Sequence, residues 1–122
     1  MSIAYVVVTA LTATINAAVV IADLAKAEFV LATSAEVGLS PSILPRLAAL
    51  KAAGAIGLLA GLLGFRLIGL AAAIGLVLFF ACALIAHFRA RVFHNIAFPG
   101  LYFALAVASL VLAAQSLPAA TS

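Results

Sequence analysis

Four long apolar stretches, separated by short polar punctuation, set the pattern of this chain. Residues 3–22 contain no charge, glycine or proline, and residues 92–122 are again uncharged. Between Arg66 and His87 lie another 20 residues without a charge. About 20 apolar residues make one helical crossing of the ~30 Å hydrocarbon core of a bilayer. The pattern therefore predicts an all-α integral membrane four-helix bundle of antiparallel transmembrane helices. The spans fall at about residues 3–25, 43–63, 67–88 and 97–115, within a single domain covering 1–122.

The punctuation places the turns. The first helix is expected to run past Asp23, because residues 23–31 keep helix formers at amphipathic spacing, and to leave the membrane between Lys26 and Ser34. Gly38-Leu39-Ser40-Pro41 marks a turn. Ser42 is the expected N-cap of the second span, with Pro45 in the first turn, where a missing N–H is harmless. Gly64-Phe65-Arg66 joins the second and third spans as a hairpin. Asn95 to Gly100, with Pro99, restarts the chain as the fourth span, and the residues after Gln115 read as a frayed tail.

Charge sharpens this picture. All nine Lys, Arg, Asp and Glu residues lie between Asp23 and Arg91. A soluble domain, at about 25% charged residues, spreads them over its whole surface. The connections after the first and third spans hold Lys26, Arg46, Lys51, Arg89 and Arg91, against Arg66 alone on the other side. That imbalance predicts that these two connections face the cytoplasm and both termini face outward. Six basic residues in so apolar a chain form no nucleic-acid stripe. The N-terminal stretch lacks a basic flank and is longer than a signal core, so it reads as a retained span.

Polar groups inside an apolar chain are where chemistry is sought. Thr9, Thr12, Asn16 and Asp23, spaced by three, four and seven, form one stripe that should face the bundle. Interhelical hydrogen bonding and a site role are both open to it. Asp23, Lys51 and His87 should arrive at a similar depth on one membrane face. One reading has them meet in a polar pocket, with Glu28 and Arg89 extending the cluster and Asn16 at its floor. The other has the basic residues snorkel to headgroups while the acids pair along the surface. In the pocket reading Asp23, Lys51 and His87 are the catalytic candidates, and Asn16, Glu28 and Arg89 would contact a ligand.

Gly57 and Gly61 form a GxxxG pair, flanked by Gly54 and Gly64 on the same span. Such a stripe serves either close packing within the bundle or a dimer interface. The single cysteine, Cys82, excludes an intramolecular disulfide and a CxxC pair. His87 and His94 lack the companion ligands of a metal site, and no hydrolytic triad motif is present.

Several segments carry a likeness: Lys26–Phe29, Glu36-Val37-Gly38, Pro41 with Leu44, Leu50-Lys51-Ala52-Ala53-Gly54, and then Gly75, Phe80 and His87. Together they resemble the DoxX-like family of small four-span membrane proteins, from about Val7 to Leu112. The resemblance implies a bacterial cytoplasmic membrane. The broader DoxX group is named for a subunit of a thiosulfate:quinone oxidoreductase, and some relatives join redox complexes or act as membrane chaperones. This chain has no haem-ligating pair or flavin motif, so any electron transfer would belong to a partner or to a quinone held between the helices. The leading expectation is an accessory or small-ligand-binding subunit that holds a quinone or another lipophilic metabolite. An intramembrane acid–base enzyme acting on a lipophilic substrate, and a membrane chaperone, are the alternatives. Partners in either case are the bilayer, a lipophilic small molecule, and a second copy or another membrane protein.

Overall fold

A computed structural model describes residues 2–25 and 27–115. Lys26 and the tail beyond Gln115 lie outside the described residues. The chain forms α1 (Ile3–Leu24), α2 (Glu28–Glu36), a single 3₁₀ turn (Pro41–Ile43), α3 (Leu44–Leu62), α4 (Arg66–Arg89) and α5 (Ala97–Gln115). All except α2 and the 3₁₀ turn are long and apolar enough to cross a membrane. Their 19 to 24 residues give lengths of about 28–36 Å at 1.5 Å per residue, which matches the hydrocarbon core.

The four long helices form a ring in which α1 packs on α3 and α5, and α4 packs on the same two. Every neighbouring pair runs antiparallel, because the four successive crossings alternate in direction. At the centre Ala13, Ala55, Leu58, Ala73, Leu76, Phe80 and Ala106 make one buried cluster. Large apolar side chains also point outward, among them Ile56 and Leu59 on α3 and Leu78 on α4. In water such a surface would drive aggregation; here it is the face presented to lipid.

Small residues set how closely the helices approach. A Cβ on Gly61 would lie 2.8 Å from the Cα of Gly69, and one on Gly57 would lie 2.6 Å from the Cβ of Ala72. Gly54 faces the side chain of Leu76 in the same way. The glycine stripe of α3 is thus consumed by its own hairpin partner, α4. This answers the question the GxxxG pair posed, in favour of packing inside the bundle.

Two local expectations are corrected. The first helix does not run on past Asp23: it closes at Leu24, and Ala27, with φ −54° and ψ 145°, starts a separate helix. No glycine or proline marks this break, so local propensity could not place it. The break lets Asp23 end α1 inside the bundle while Val30 and Ser34 of α2 are also buried. Ser42 is not the N-cap of α3. Its hydroxyl pairs with that of Ser40 at 3.0 Å, inside the 3₁₀ turn, and Ile43 takes the cap position without a side-chain bond. Pro45 does sit in the first turn of α3.

The helix ends around the site are closed by left-handed residues. Gly38, with φ +81°, follows α2, and the Leu39 N–H bonds back to Ser34 O at 2.8 Å. Arg91, with φ 56°, plays the same part after α4, where the Val92 N–H reaches His87 O at 2.9 Å. Both are the six-to-one closure of a Schellman motif. The second fixes His87 in the last turn of α4.

Candidate functional site

The polar stripe of α1 is buried along its whole length. Thr12 donates to Val8 O at 2.7 Å, which leaves its oxygen to accept from the Ser109 hydroxyl of α5 at 2.9 Å. The Asn16 amide donates to Thr12 O at 2.9 Å. The Thr12–Ser109 bond ties α1 to α5 deep in the bundle, where no water competes for it. Asn16 is not part of the cavity wall; it lies deeper than Val19 and Asp23, which are. The expectation that it forms a floor is corrected.

At the end of the bundle that carries the two longer connections, the helices part around a cavity of about 700 Å³. Asp23, Lys51 and His87 all stand in its wall. The antiparallel topology brings them together: Asp23 ends α1, Lys51 sits two turns into α3, and His87 is in the last turn of α4. Lys51 Nζ lies 2.6 Å from Asp23 Oδ2, and both residues are less than a tenth exposed. The same ammonium lies 5.5 Å from the centre of the Phe79 ring, within cation–π range. Lys51 therefore points into the bundle and does not snorkel. An ion pair removed from water survives only where partners and geometry compensate for desolvation, and here the carboxylate and the ring face both serve.

His87 is 5% exposed. Its Nδ1 donates to Ala83 O, one turn earlier, at 2.9 Å. A carbonyl only accepts, so Nδ1 carries a proton and the ring is fixed in orientation. Its Nε2 is buried with no hydrogen-bond partner.

Glu28 and Arg89 do not join this cluster. Both are exposed and neither lines the cavity. Glu28 occupies the first turn of α2, where a carboxylate complements the helix dipole.

The structure adds elements that sequence reasoning missed. α2 and the residues after it supply one side of the cavity through Phe29, Val30, Thr33 and Leu39. Two polar links join α2 to the α4–α5 connection: Asn95 Nδ2 donates to Thr33 Oγ1 at 3.2 Å, and His94 Nε2 lies 3.2 Å from Glu36 Oε2. Phe98 and Tyr102 of α5 complete the wall, with Tyr102 tilted against Phe80 at 5.5 Å. The wall that α2 forms was not legible in the sequence, because it depends on the unmarked break after α1.

Four apolar helices around a buried ion pair, with a cavity opening at one end of the ring, define a small polytopic membrane protein. The chain belongs to the DoxX-like family, whose model matches residues 7–109, and members of that family are small membrane proteins. No curated protein and no solved structure matches it.

Proposed function

We propose that this DoxX-like protein is an accessory, small-ligand-binding subunit of a bacterial cytoplasmic membrane, and that its cavity holds a lipophilic metabolite of the quinone-like size class. The observation that carries this reading is a cavity of about 700 Å³ whose apolar wall includes a buried Asp23–Lys51 pair and the unpartnered Nε2 of His87. Binding sites for small molecules are typically apolar clefts with a few fixed polar groups that set orientation. The ion pair supplies a fixed dipole and His87 supplies a hydrogen-bonding position. Glu28 and Arg89 have no part in this reading.

Extraction of the purified protein and mass spectrometry of the small molecules it retains is the test. One lipid-soluble species near one copy per chain is expected. In His87→Ala its retention should fall about tenfold, the equivalent of one lost hydrogen bond. Bulk lipids alone, at bilayer proportions, would overturn the proposal. A stoichiometric protein partner with no small molecule would favour the chaperone alternative instead.

The orientation has its own test. The excess of basic residues in the two longer connections supports a cytoplasmic position for α2 and the cavity. A reporter inserted between Gly38 and Ser40 should then read as cytoplasmic, and one fused after residue 122 as external. A cytoplasmic signal from the C-terminal fusion would reverse the assignment.

A further inference from the structure

Two polar side chains in the cavity wall share a pattern. His87 commits its Nδ1–H to Ala83 O and leaves Nε2 buried without a partner. Asn95 donates its amide N–H to Thr33 Oγ1 and leaves Oδ1 buried without a partner. In each case an N–H is used within the protein and a buried acceptor remains. The charged donor of the wall, the Lys51 ammonium, is already held by Asp23 and faces the Phe79 ring. At His87 Nε2 and Asn95 Oδ1 the wall therefore offers buried acceptors without a donor. A buried acceptor without a partner is costly, and a ligand that brings a donor recovers that cost.

The charge and shape of the wall narrow the ligand further. Asp23 and Lys51 cancel, so the deep wall holds no unpaired charge that would select an ion. Phe79, Phe80, Phe98 and Tyr102 present flat apolar faces. Resting on the reading of this cavity as a ligand site, we infer that its occupant is a neutral lipophilic molecule with a hydroxyl group, such as an alcohol or phenol on a flat body. That hydroxyl donates to His87 Nε2. A head group with acceptors only, such as a ketone, ester or ether, brings no donor to Nε2 and sets lone pair against lone pair there.

The test compares two probes of nearly equal size, 2-naphthol and its methyl ether, 2-methoxynaphthalene. Equilibrium dialysis of the full chain in detergent micelles, against protein-free micelles, reads specific uptake. 2-Naphthol is expected to bind about tenfold more tightly than the ether, the difference one hydrogen bond makes. His87→Phe should abolish the preference while the ether still binds. Equal binding of the two probes by the unmodified protein would overturn the inference and leave the cavity reading standing. So would a preference that survives in His87→Phe. Uptake of neither probe above the micelle reference would overturn both. The comparison in the unmodified protein requires no variant to fold.

Discussion

Asp23→Asn is expected to destabilise the bundle by about 3–5 kcal/mol, the cost of leaving one member of a buried ion pair without its partner. Lys51 Nζ lies 2.6 Å from Asp23 Oδ2, and the two residues are 7% and 3% exposed. An uncharged Asn leaves the ammonium in a low-dielectric wall with an amide dipole and the Phe79 ring in place of a counter-charge. Lys51→Met should destabilise by a similar amount, for the converse reason. The double variant Asp23→Asn/Lys51→Met should recover much of the loss, because it removes both charges and keeps the volume nearly constant. Unfolding in mixed micelles, followed by loss of helicity, measures all four proteins. The expected signature is strong non-additivity, with a coupling of at least about 2 kcal/mol between neighbours of this kind. Additive losses would mean that the two charges do not depend on each other.

The pair also explains how much of the site could be read in advance. Span-length apolar runs made the four crossings legible, and antiparallel order alone then placed Asp23, Lys51 and His87 at one end. Which way Lys51 pointed was not legible. A lysine two turns into a span is within reach of the interface, and sequence does not say whether a carboxylate awaits it inside. The resemblance to the DoxX-like family was recognisable from residues around Lys51, Gly54 and His87, and the family match over residues 7–109 bears it out.

The failures share a cause. Asn16 was placed by stripe alone, but a stripe gives a face and not a depth, and its amide donates within α1, to Thr12 O. Glu28 was carried along with Asp23 on a helix assumed to be continuous. The break at Ala25–Ala27 sends it to an exposed position instead. That break has no composition signal, because it is fixed by what α1 and α2 pack against. Asn95 and Tyr102 were legible as a polar residue and an aromatic, yet only the tertiary arrangement brings them to the cavity.

Gly61→Leu is expected to prevent the α3–α4 hairpin from closing, and Gly61→Ala to destabilise it by about 1–3 kcal/mol, the usual cost of overpacking. The contact opposite Gly61 is backbone: the Cα of Gly69 would stand 2.8 Å from an added Cβ, with the Tyr5 hydroxyl at 3.1 Å. Neither helix axis can yield without disturbing the other. Gly54→Ala should be milder, because the obstructing atoms belong to the side chain of Leu76, which can change rotamer. Gly75→Ala is the control. Nothing lies within 4 Å of its added Cβ, and in a helix interior Ala is favoured over Gly by about 1 kcal/mol. Mixed-micelle unfolding should therefore rank stability as Gly75→Ala above Gly54→Ala above Gly61→Ala. Cross-linking of the same samples separates internal packing from association. Gly61 variants that kept full stability and lost only a dimeric species would place the glycine stripe between chains. In that event the close α3–α4 crossing would not be what holds the hairpin, and the cavity at the far end of these helices would have to be supported by α1 and α5.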